Sequence, residues 1–221
     1  MTVSRRAVLR TCLLAACIGA GAVHAATPAQ VTDFFRAVQM DDARTVKAML
    51  GRVIDPNTIN PIGGEPALVL AVREGAMRVF ETLLAHPGTD IEAEAVNGNT
   101  ALMMAAFKHN QPAVLALLKE GARVNRPGWT ALHYAAASGD DEIARILLGR
   151  GASVDAVSPP RSGAYTPLMM AAREGKDSTA LILIDHGADR KLTNSEGLTA
   201  AQLADRAGKT RVAEAIDNYK K

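Results

Sequence analysis

Thr130-Ala131-Leu132-His133-Tyr134-Ala135-Ala136 is the stretch on which the reading of this chain turns. A Thr stands before a short apolar run, and a pair of alanines closes it. Threonine is a good helix N-cap because its hydroxyl accepts an early backbone N–H. Paired alanines let one helix lie close against the next. The pattern recurs at Pro66-Ala67-Leu68, Thr100-Ala101-Leu102, Thr166-Pro167-Leu168 and Thr199-Ala200-Ala201. From Pro66 onward the offsets are 34, 30, 36 and 33 residues. Each start is followed by a small pair: Ala71-Val72, Ala105-Ala106, Ala135-Ala136, Ala171-Ala172 and Ala204-Asp205. A second apolar stretch follows, and Gly88, Gly121, Gly151 or Gly187 closes most units. Self-similarity near this period marks a stacked repeat architecture.

The physics of one unit can be read off directly. A capped first helix ends at Gly75, Gly139 or Gly175, which permits a left-handed turn. Asn110 takes that place in one unit, since asparagine also tolerates the left-handed region. Pro112 suits the first turn of the second helix, where a missing N–H costs nothing. The closing Gly supplies a left-handed C-cap. Each helix is about ten residues, too short to persist alone, so the units must stack.

On Thr130 to Ala136, Gly139, Ile146-Leu147-Leu148 and Gly151-Ala152, the sequence resembles the ankyrin repeat family. Other copies match more loosely, with Met103 or Met169 where the family often has His. The resemblance covers residues 58–218. It implies an all-α solenoid of about six stacked helix pairs with projecting hairpin-like fingers, a rod of roughly 60 Å at about 10 Å per pair. The expected units are 58–93, 94–125, 126–155, 156–191 and 192–218. Residues 26–57 form a degenerate N-terminal capping pair that buries Phe34, Phe35, Val38, Val46 and Leu50, and 219–221 are a tail. The last unit carries Asp205, Arg206, Lys209, Arg211 and Asp217, the polar outer face that an end unit needs.

Residues 1–25 read as an export signal. Arg5, Arg6 and Arg10 precede an apolar run from Cys12 to Val23, and Val23-His24-Ala25 suits cleavage after Ala25. That run is too short to span a bilayer as a stable helix, and no later segment is long and apolar enough. Ser4-Arg5-Arg6-Ala7-Val8-Leu9-Arg10 resembles a twin-arginine signal, so the Sec and twin-arginine routes both stay open. Leu14-Ala15-Ala16-Cys17 resembles a lipoprotein box, which keeps a lipid anchor at Cys17 as the lesser alternative. The expected destination is the bacterial periplasm. Cleavage removes three of the 25 basic residues and none of the 23 acidic ones, leaving a net charge of −1. It also removes both cysteines, Cys12 and Cys17, excluding a disulfide scaffold, a Cys nucleophile and a thiolate metal site. The full chain's net charge of +2 and aromatic content of 4 % argue against nucleic acid as a partner.

No nucleophile elbow, zinc-protease pair, Walker loop or dinucleotide glycine motif occurs. None of His86, His109, His133 and His186 has a second ligand three or four residues away on its own helix. The expectation is therefore no enzyme, cofactor or metal. The aromatics say more. The stripe Leu70, Met104, Tyr134, Met170 and Leu203 reads as core. Trp129 and Tyr165 each stand directly before a capping Thr, where the resemblance implies a finger base facing a concave groove. Phe107 follows its alanine pair in a row with Arg73, Ala137, Arg173 and Arg206, again on the groove side by resemblance. The fingers Arg126-Pro127-Gly128-Trp129, cut short, and Ser158 to Tyr165, lengthened, mark mid-rod as the contact zone. Exposed Trp, Tyr and Arg together have the composition of a binding hot spot. The expected function is non-enzymatic binding of a protein partner by a monomer. Phe107, Trp129 and Tyr165 act as anchors, with rim charges from Arg73, Lys108, Arg173 and Glu174. The alternative is a small-molecule, peptide or metal-binding module.

Overall fold

The computed structural model describes residues 26–220, so the export signal proposed for residues 1–25 lies outside them. Six helix pairs follow one another: α1 (Pro28–Gln39) with α2 (Ala43–Met49), α3 (Ala67–Glu74) with α4 (Met77–Leu84), and α5 (Ala101–Phe107) with α6 (Gln111–Lys119). They continue with α7 (Ala131–Ser138) and α8 (Asp141–Gly149), α9 (Pro167–Arg173) and α10 (Asp177–Asp185), and α11 (Ala200–Arg206) and α12 (Thr210–Asp217). We number these pairs as units 1 to 6. The first helices of the units pack in sequence as an inner layer, and most second helices pack as an outer one. This is the expected all-α repeat solenoid, with no strand longer than an isolated bridge among the described residues.

The caps are those the repeats predict. Thr100, Thr166 and Thr199 accept the N–H of Met103, Met169 and Gln202 at 3.4, 3.3 and 3.4 Å. Gln202 returns the favour, its side chain accepting the Thr199 N–H at 2.9 Å. Pro66 starts α3 without any side-chain cap. The core lies between the layers. The alanine pairs of α5, α7 and α9 are buried completely, and these three helices pack closely in sequence. Val72 stands at that place in α3, and α3 meets α5 less closely than α5 meets α7. In the outer layer α4 and α6 barely touch. A crevice of about 450 Å³ between Leu84, His86, Ala116 and Lys119 separates them.

Two local readings need correction. The left-handed residue between α5 and α6 is His109, with φ 56°, and not Asn110. Asn110 sits one place on at φ −94°, where its side chain accepts the Ala113 N–H at 3.1 Å and caps α6. Capping competes with turning for the same asparagine, and capping wins because it satisfies an orphan donor. Gly88 is not a left-handed cap. The chain leaves α4 at Ala85, and the His86 Nδ1 accepts the Gly88 N–H at 3.1 Å. Gly121, Gly151 and Gly187 do take positive φ.

Side-chain amides tie the units together along the loops. Asn57 donates to the Gly88 carbonyl at 2.9 Å and accepts the Asp90 N–H at 2.7 Å. Asn125 repeats the arrangement on Gly151 and Ser153, at 2.7 and 2.8 Å. Acids bind the adjacent unit elsewhere: Glu92 accepts the Arg123 N–H at 2.7 Å, and Asp155 accepts that of Asp189 at 3.1 Å. Stability is thus carried by neighbour-to-neighbour terms, as in other stacked repeats.

Candidate functional site

One residue of each unit stands two places before the left-handed turn that ends its inner helix. These residues are Gln39, Arg73, Phe107, Ala137, Arg173 and Arg206. In unit 2 the row is strapped to its own finger, Arg73 reaching Glu65 at 2.9 Å and Glu74 at 3.1 Å. In unit 6 Arg206 holds Glu196 at 2.5 Å. In unit 5 the Arg173 guanidinium lies 5.0 Å from the centre of the Tyr165 ring and pairs with Glu174 at 3.0 Å. Units 3 and 4 have no such strap, because Phe107 and Ala137 carry no charge.

A pocket of about 320 Å³ opens there. Phe107, Trp129, His133 and Tyr134 line one part of it, and Ala137, Met170, Arg173 and Glu174 the rest. The rings stand at steep angles to one another. Phe107 meets Tyr134 edge-on at 6.1 Å and 86°. Trp129 lies 6.2 Å from Tyr134 and 5.2 Å from the His133 ring. Phe107 is 49 % exposed, a large apolar side chain left in water.

His133 fixes the back of the pocket. Its Nδ1 accepts the Thr130 N–H at 3.2 Å, with the Thr130 hydroxyl at 2.9 Å. That leaves the proton on Nε2, which donates to the Tyr165 carbonyl of the next unit at 3.0 Å. Burial pushes the imidazole down to about 4, the Tyr165 carbonyl opposing it only in part. The ring is therefore neutral at neutral pH. Burial also raises the Tyr134 phenol, whose O–H donates to the Asn99 side chain at 2.5 Å.

Of the seven residues proposed from sequence, Phe107, Trp129, Arg173 and Glu174 come together on this pocket. Tyr165 stands behind it, holding Arg173 with its ring and His133 with its carbonyl. Lys108 is exposed beside Phe107 and outside the lining, and Arg73 is engaged in unit 2. The reading of the stripe as core holds for Leu70, Met170 and Leu203. Met104 and Tyr134 are only partly buried. Tyr134 lines the pocket because its hydroxyl must reach a partner and finds Asn99 at the groove edge. Ala137 stands in the row named from sequence, and its small side chain leaves the opening there. Among the described residues, no group of three His, Cys, Asp or Glu side chains comes together to hold a metal ion. No described helix is long and apolar enough to cross a membrane.

Comparison with known proteins gives the family. Residues 34–127 and 68–158 match the family model for ankyrin repeats in three copies, and residues 157–204 match that for ankyrin repeats in many copies. Similar proteins include the human transient receptor potential cation channel subfamily A member 1, 32 % identical over 69 % of this chain. Human SH3 and multiple ankyrin repeat domains protein 2 is 28 % identical over 79 % of it. Protein glp-1 of Caenorhabditis elegans is 30 % identical over 86 % of it. The aligned part spans 14, 11 and 16 % of those relatives' own lengths.

Proposed function

The chain belongs to the ankyrin repeat family, and from that premise we propose that it is an exported, periplasmic protein that binds a partner protein in its groove. Ankyrin repeats are generally protein–protein interaction modules, and the relatives' repeats are typically non-enzymatic. The observation that carries the reading is the aromatic pocket of units 3 to 5, where exposed Phe107 stands beside Trp129. Aromatic and Arg side chains gathered round one open pocket have the composition of a binding hot spot. Phe107 and Trp129 are the anchors, with Tyr165 holding Arg173 in place. Arg173 and Glu174 flank the anchors, and Lys108 and Arg73 bear on the approach of a charged partner. The partner is an enzyme that this protein restrains or stabilises, or an incoming toxin that it neutralises. Export rests on Arg5, Arg6, Arg10, the apolar run from Cys12 to Val23 and the cleavage site after Ala25.

The test is affinity capture from a periplasmic extract through a C-terminal tag, with wild type and Trp129→Ala in parallel. One stoichiometric partner is expected with wild type and none with the variant, compared at a temperature where circular dichroism shows both folded, since Trp129 packs against the core. A partner retained by the variant contradicts the assignment of the groove.

A further inference from the structure

We infer that the pocket between units 3 and 5 takes one large uncharged side chain, aromatic or long aliphatic, presented by the partner protein. This rests on the protein-binding reading above and narrows the chemistry of what binds. The row is interrupted in unit 4. Phe107 and Arg173 flank Ala137 in the adjacent units, so a side chain of their size is missing from unit 4. A pocket of about 320 Å³ stands in its place, and the partner supplies what the chain omits.

Aromatic faces attract cations, but an entering cation meets Arg173 in the same wall. An entering carboxylate meets Glu174 and the negative ring faces. Arg173 and Glu174 already hold each other at 3.0 Å, so the wall offers no net charge to either sign. Both His133 nitrogens are engaged, and the Tyr134 hydroxyl is bonded to Asn99. These two residues therefore have no proton left to donate to an occupant.

Trp129 is the single tryptophan of the chain. A ¹⁵N-labelled full-length protein thus gives one indole N–H resonance, and it reports on this pocket. The probes are N-acetyl-phenylalaninamide, tetramethylammonium chloride and sodium acetate, each titrated to tens of millimolar. The expected result is a saturable shift with the phenylalanine amide alone. Ala137→Leu fills the pocket from within and weakens that binding about tenfold or more. Ala137→Met repeats the test with a flexible side chain, and Ala137 is partly exposed, so both variants keep the fold. Saturation by tetramethylammonium would make the pocket a cation cage, and saturation by acetate an anion site. Either result overturns the inference, as does the lack of any saturable shift or an amide shift that Ala137→Leu leaves unchanged. A partner captured by wild type and lost with Trp129→Ala, with no response to the amide, overturns this inference and leaves the groove reading standing.

Discussion

Units 2 and 4 are built on one plan and present opposite surfaces to the groove. In unit 2, Arg73 of the inner helix is strapped to Glu65 at the base of its finger. In unit 4 the same two places hold Ala137 and Trp129, and a pocket opens between them. The two units also differ in how they are anchored. Thr130 and His133 bind each other, and His133 reaches the next finger at Tyr165. Unit 2 has Pro66 for a cap and Val72 for an alanine, and its outer helix stands off from α6. The difference teaches that two residue choices in unit 4 open the groove there, and that the opening sits where the inner layer is tightest. A preorganised wall loses little entropy on binding.

The largest expected effect comes from releasing that anchor. His133→Ala leaves the Thr130 N–H and the Tyr165 carbonyl unpartnered and opens a cavity, costing about 3 kcal/mol in a denaturant titration. The imidazole's depressed pKa makes the same link sensitive to acid. The unfolded chain binds a proton on His133 below about 6.5, and the folded chain only near 4. Stability is therefore complete above that upper value and falls as pH drops toward the lower one. About 3 kcal/mol is lost over this window, and the difference between wild type and His133→Ala in parallel titrations isolates it. Giving unit 4 the strap of unit 2, as Trp129→Glu with Ala137→Arg, closes the pocket. Partner affinity should fall by about 2 kcal/mol, roughly thirtyfold. Giving unit 2 the threonine cap of unit 3, as Pro66→Thr, should add about 0.5–1 kcal/mol to stability. Arg73→Ala has the smallest effect on binding. It leaves the largely buried Glu65 carboxylate without its pair, which costs about 1 kcal/mol or more of stability, while partner affinity should stay within about twofold of wild type.

The fold was legible because its cause is local and repeated. Thr caps, alanine pairs and Gly turns recur about every 33 residues, and a helix pair that cannot stand alone must stack. The row holding Phe107, Ala137 and Arg173 was legible for the same reason. What the row encloses was not, since the pocket joins side chains from three units about 30 or more residues apart. Tyr134 shows the limit. Its place in the stripe is a core place, but a phenol needs a hydrogen-bond partner, and Asn99 lies toward the groove. Asn110 shows another, because a residue able to turn and able to cap gives one sequence signal for two geometries. Within its own turn His133 binds Thr130. Its bond to Tyr165 depends on a finger 32 residues away.

Photo-crosslinking in the periplasm tests the central claim most directly. A benzophenone amino acid replaces Phe107 on the inner layer or Leu115 on α6, both exposed apolar positions. The account predicts one discrete protein adduct from position 107, none from position 115, and loss of the first when Ala137→Arg fills the pocket. An adduct from 115 and none from 107 would contradict it.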